Sequence, residues 1–167
     1  MTAVAGASLL AAVRAGMLVL VGAVAGQAPF DARELSDYRL TPAMFERFVD
    51  ASRRIADITR NDASLANAPL FTDDIVRSDD VTAAARDLLS RLESHRRLSA
   101  ALAAAKITAR EYTKFAIALV AGRVAHGFLE SGVLRRVPDG APAANVGFVD
   151  RHRSEVLATL ALLGIRD

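Results

Sequence analysis

The side chains able to do chemistry are few and widely spaced. Three histidines, His95, His126 and His152, fall on three different predicted helices, with no HExxH, no Glu-x-x-His pair and no acidic cluster around them. A metal needs several ligands converging at helical or hairpin spacing, so these histidines read as surface or part-buried helix residues. Ser52, Ser90, Ser94 and Ser131 lack the G-x-S-x-G turn that exposes a nucleophile, and no Gly-rich strand-to-helix loop cradles a phosphate. Glu111, Tyr112 and Lys114 open one predicted helix, where capping explains Glu111 and solvent exposure explains Lys114. The pairs Arg53-Arg54, Arg96-Arg97 and Arg135-Arg136, with Arg151 and Arg153, offer a basic face for lipid phosphate or an acidic partner. Asp50, Asp57, Glu93, Glu130, Asp139, Asp150 and Glu155 lie close to them in sequence, as on solvated helix faces. The expectation is a protein that is not an enzyme and holds neither cofactor nor metal.

Composition narrows the classes further. At 167 residues, with 52% hydrophobic and 24% charged side chains, the chain can bury one real core and carry a short appendage. Its 21 basic and 19 acidic residues nearly cancel, which argues against nucleic acid as a partner. The absence of cysteine removes disulfides, thiolate zinc sites, c-type haem attachment and cysteine nucleophiles.

What must position these residues begins with an apolar N-terminal segment, residues 1–30. Between Met1 and Phe30 the only charged residue is Arg14, and "AGMLVLVGAVAG" follows it. Two readings compete. A signal peptide would end at the small-x-small run Ala23-Val24-Ala25, with Gly26 after the cut and Asp31, Arg33, Glu34 and Asp37 opening a polar mature chain. A retained anchor would recruit the apolar residues before Arg14, since a spanning helix needs roughly 20 residues, and Thr2 to Gln27 would rise about 39 Å. Pattern alone favours cleavage. The reading carried forward is retention, because Gly16, Gly22 and Gly26, with Ala15 and Ala23, would let a second membrane helix approach closely. In both readings the lone positive charge precedes the apolar run, so residues 31–167 are expected on the periplasmic side of the inner membrane.

Residues 31–167 read as an all-α domain, a bundle of four to five helices. Thr41 and Pro42 start one helix, with Phe45, Phe48, Ser52 and Ile55 near one face. The stretch from Asn61 to Asp80 lacks sustained periodicity and contains Pro69, so it reads as a long connection. Asn61, Leu70, Phe71 and Asp80 mark it as a partner-contact loop. A helix from about Val81 carries Leu88, Leu89 and Leu92 and continues or restarts near Ser94. Thr108 and Glu111 stand at capping-box spacing before a helix that ends at Gly132, and its middle, "FAIALVAG", is apolar on nearly every side. That pattern marks the central helix of the bundle. One last helix is expected from about Asn145 to Leu163, stopped by Gly164.

The succession "YRLTPAMFERFVDA", "AREYTKFAIALVAGRVAHGFLESGVL" and "VPDGAPAANVGFVDRHRSEV" resembles a family of exported bacterial helical proteins of unknown function. The resemblance covers approximately Tyr38 to Val156, rests on motifs of structural character and transfers no catalytic residue. More loosely, the chain is similar to membrane-anchored accessory subunits of photosynthetic reaction-centre and light-harvesting complexes. With no histidine between Met1 and Phe30, an apolar helix there lacks the usual bacteriochlorophyll ligand and would pack rather than carry pigment. The functional expectation is a non-enzymatic subunit that stabilises a membrane protein assembly, in contact with its other subunits and with the lipid bilayer. The alternative is a periplasmic bundle, its signal peptide removed, that binds a small hydrophobic or haem-like ligand, with His126 the best-placed ligating side chain.

Overall fold

The structure, a computed structural model, describes residues 30–66, 70, 80–137 and 142–165. All regular structure among them is helical: α1 (Ala32–Ser36), α2 (Pro42–Asn61), α3 (Ala63–Ala66), α4 (Val81–Ser94), α5 (Arg96–Ala104), α6 (Ala109–Glu130), α7 (Ala143–Arg151) and α8 (Arg153–Leu162). The expected N-terminal apolar helix and its glycines Gly16, Gly22 and Gly26 lie outside the described residues. No helix of the described residues is long and apolar enough to cross a membrane.

The helix starts follow from local chemistry. Asp31, Thr41, Asp80 and Thr108 adopt non-helical dihedrals, and each side chain accepts a first-turn amide that the helix itself leaves without a partner. The stops are equally local. Gly164, at φ +82°, closes α8 with the Ile165 amide reaching back to the Leu160 carbonyl at 3.0 Å. Lys106 does the same for α5 at φ 56°, although it carries a Cβ, and the Ile107 amide bonds Leu102 at 3.1 Å.

Around α6 the other helices assemble. Tyr112, Phe115, Ala116, Leu119, Val120 and Ala125 are buried on different sides of it, as "FAIALVAG" predicts. The aromatic centre joins three helices: Phe48 of α2 stacks on Tyr112 at 4.7 Å and tilts against Phe115 at 4.8 Å, while Phe45 meets Phe148 of α7 edge-on at 5.4 Å. Close approach of α6 and α7 depends on Gly122, where a Cβ would lie 3.3 Å from both the Asn145 carbonyl oxygen and Val149 Cγ2.

Two expectations need correction. The last helix is not continuous: it breaks at His152, whose φ of −111° and ψ of 25° leave the helical region. The imidazole is held there by stacking on Phe148 at 4.5 Å and by an edge contact with Phe45 at 5.8 Å, so aromatic packing outweighs continuation of the helix. Nor is Lys114 a solvated side chain. It is 14% exposed, because α1 folds back over the first turns of α6 and brings Glu34 to within 3.6 Å of its ammonium.

Candidate functional site

The region with the most concentrated side-chain chemistry lies where the chain enters the bundle. Phe30 is 4% exposed and packs with Leu35, Ala85, Leu89 and Ile117, in a small core separate from the main one. The Arg110 guanidinium covers its ring at 4.4 Å. The same guanidinium holds Glu34 through two nitrogens, with Nε 3.1 Å from Oε1 and the second nitrogen on Oε2. Lys114 joins Glu34 to Glu111 and lies 5.2 Å from the centre of the Tyr38 ring, while the Tyr38 hydroxyl donates to Glu111 Oε2 at 3.2 Å. A chain of alternating charge therefore fixes α1 and the segment after it to the first turns of α6.

Electrostatics follow from these contacts. The hydrogen bond from Arg110, aided by the charges of Arg110 and Lys114, holds the Glu34 carboxyl below its ordinary value. Burial, with the Glu111 carboxylate beside it, pushes the Tyr38 phenol well above the ordinary tyrosine value. Tyr112 is raised in the same direction by burial, against a lowering contribution from its 3.0 Å hydrogen bond with Ser52 Oγ. Ser52 is thus paired with a phenol inside the core, not with a base that would activate it, among the described residues.

Each histidine stands beside carboxylates, a convergence missed by reading each one's sequence neighbours as scattered. His126 is 7% exposed, with Nε2 3.2 Å from Asp150 Oδ1 on α7 and Nδ1 3.4 Å from Glu130 Oε2 one turn along α6. His95 approaches Asp62 at 3.6 Å and His152 approaches Glu155 at 3.4 Å. The i, i+4 spacing of His126 and Glu130 and the i, i+3 spacing of His152 and Glu155 were legible signals for two of these pairs. The three histidines do not meet, and no group of His, Asp or Glu able to hold a metal occurs among the described residues.

Beside the N-terminal clamp lies an apolar cavity of about 260 Å³, walled by Leu35, Val81, Ile117, Ala118 and Ala121, with Ser36, Thr82 and Asn145 at its edge. Asn145 is not free to serve a ligand there: its amide oxygen accepts the Leu40 N–H at 3.0 Å and its nitrogen donates to the Tyr38 carbonyl at 2.8 Å. The residues expected to form a partner-contact loop are dispersed. Asn61 ends α2 and donates to the Asp57 carbonyl at 2.8 Å. Leu70 is buried in the main core at 6% exposure, Asp80 caps α4, and Phe71 lies outside the described residues.

These features define an all-α bundle wrapped around one buried central helix, with a charged clamp where the chain enters. No protein-family model, curated protein or solved structure matches the chain.

Proposed function

We propose that this chain is a non-enzymatic structural subunit, held in the inner membrane by residues 1–30 and stabilising a larger membrane protein assembly from the periplasmic side. The observation that carries the reading is the seat of Phe30. In sequence only Gln27, Ala28 and Pro29 separate the apolar run after Arg14 from Phe30, whose ring is buried at 4% exposure under Arg110, so few residues would join an anchor to the bundle. A connection that short would restrict how the bundle sits on its membrane, as a scaffold requires. The side chains with chemical potential support the same reading: Ser52, Tyr112, Glu111, Lys114 and Asn145 are engaged in holding helices together.

The partners this reading calls for are neighbouring membrane subunits and the bilayer itself. On this reading the assembly would be one such as a photosynthetic reaction-centre complex, the class suggested by the loose resemblance drawn from the sequence. Intact mass measurement of the protein from its native membrane is the test. A mass that includes residues before Ala15, together with a stoichiometric membrane partner, is the expected result. A mature chain beginning at Gly26 and recovered without partners overturns it.

The apolar cavity favours one second reading, a periplasmic bundle that binds a small hydrophobic molecule. Such a ligand would be held by Ile117, Ala118 and Val81. His126 would not be its ligating residue, because both ring nitrogens face carboxylates and the side chain does not line that cavity. Organic extraction of native protein, analysed by mass spectrometry, separates this reading from the first.

A further inference from the structure

The end of α6 opposite the clamp carries an exposed combination found nowhere else among the described residues. Phe128 is 46% exposed and Val133 is 69% exposed, although most large apolar side chains of the domain are buried. They are neighbours by construction. Gly132 turns the chain at φ +74°, the Gly132 amide bonds the Leu129 carbonyl at 3.2 Å, and the Leu134 amide reaches back to the Phe128 carbonyl at 3.0 Å. The turn thus folds the chain after Gly132 back against the last turn of α6, which Phe128 belongs to.

Among the described residues, charge at this tip is one-sided. Glu130, the acid nearest in sequence among the described residues, is already engaged by Arg153 and by His126 Nδ1 at 3.4 Å, while Asp139 lies outside the described residues. Arg135 and Arg136 are exposed and make no ion pair among the described residues. They differ from the other arginine pairs, in which Arg54 is held by Asp50 and Arg97 by Asp62.

We infer that Phe128, Val133, Arg135 and Arg136 form a docking surface for an acidic protein surface with an apolar recess, contributed by another subunit of the assembly proposed above. Aromatic and arginine side chains on one small patch are the types that dominate protein interfaces. A lipid surface fits less well, since stable adsorption to anionic headgroups takes a cluster of about four to eight cations. Position agrees: Arg110, at the clamp, and Phe128 are separated by about 27 Å of helix, so α6 carries a contact away from the point where the chain enters. Ala121, on the cavity wall, lies two turns before Phe128 on the same face, which extends the apolar strip towards the tip.

The inference rests on the structural-subunit reading but is tested separately from it. A photoreactive benzoylphenylalanine replaces Phe128 in the full chain, made in its native cell, and irradiated membranes are analysed by mass spectrometry for the site of attachment. The expected result is attachment to one defined stretch of another protein that is rich in Asp and Glu. Adding R135E and R136E should reduce the yield at least about tenfold, with the melting temperature unchanged because both side chains are exposed. Benzoylphenylalanine at Arg47, on the exposed side of α2, should not reach that stretch. Attachment to lipid alone, no attachment, or a yield indifferent to charge reversal overturns the proposal. If the intact mass shows a cleaved chain while the charge-dependent attachment persists, the anchor fails and the docking surface stands. An intact anchor without attachment leaves the anchor standing and removes the docking surface.

Discussion

The side-chain amide of Asn145 binds the backbone on both sides of Arg39, accepting the Leu40 N–H at 3.0 Å and donating to the Tyr38 carbonyl at 2.8 Å. One nearly inaccessible side chain thereby ties the segment between α1 and α2 to the start of α7, more than a hundred residues later. The Asn145 backbone carbonyl packs against Gly122 on the other side, so α6 shares this joint.

Replacing Asn145 with Leu removes both bonds and leaves a buried amide and a part-buried carbonyl without partners. Each such group costs about 1–3 kcal/mol, so Asn145→Leu should destabilise the domain by roughly 2–6 kcal/mol. Urea denaturation followed by circular dichroism measures this. A loss below about 0.5 kcal/mol would show that water or a shifted backbone satisfies both groups.

Gly122→Val tests the approach of α6 to α7. The new Cβ would meet a backbone oxygen and a packed valine, both at 3.3 Å, tighter than ordinary contact before the two further methyls are added. Overpacking of this kind costs about 1–3 kcal/mol, which exceeds the helix propensity gained over glycine. The melting temperature should fall. An unchanged or raised value would mean that the helices separate at little cost.

The Glu34 clamp gives stability a signed dependence on acid. Arg110 holds the folded-state pKa of Glu34 below its ordinary value of 4.5. Above that value both folded and unfolded states are ionised and the whole contribution is present. As the pH falls below it, the unfolded chain takes the proton first, and the contribution is lost down to the folded pKa. Glu34→Gln should therefore lower stability at neutral pH and flatten the decline below pH 4.5. Equal acid slopes in wild type and variant would remove Glu34 from the clamp.

Both tyrosines of the chain titrate upward, which makes an alkaline probe specific. Their folded pKa values exceed the ordinary value of 10.0, so their neutral forms contribute stability that is complete below that pH and is lost as the pH rises above it. Tyrosinate absorbance near the ultraviolet edge should appear only together with loss of helical circular dichroism. Ionisation of either tyrosine near pH 10 in the folded protein would contradict its burial. Tyr38→Phe should retain this coupling through Tyr112.

By itself the sequence determined the helical class and most helix boundaries, because these are fixed within a few residues. Thr41 with Pro42, Thr108 and Gly164 act on amides and carbonyls one turn away, and the apolarity of "FAIALVAG" is satisfied by burial of every residue in it but Ala121. The aromatic face of α2 was likewise legible from its spacing. Tertiary structure alone decided the rest, since each outcome depends on residues far apart in the chain. His152 breaks the last helix because Phe45 and Phe148 stand beside it, and Lys114 loses its solvent because α1 returns over α6. Asn145 becomes a joint only when residues 38–40 are brought to it, and Leu70 turns from a loop residue into a core residue. Asp62, just past the end of α2, and Asp150 of α7 reach His95 and His126 from far along the chain, so those pairs carry no local spacing to read. Local caps and periodicity specify an element; which elements touch is set by the mutual burial of faces, and that exists only once the chain has folded.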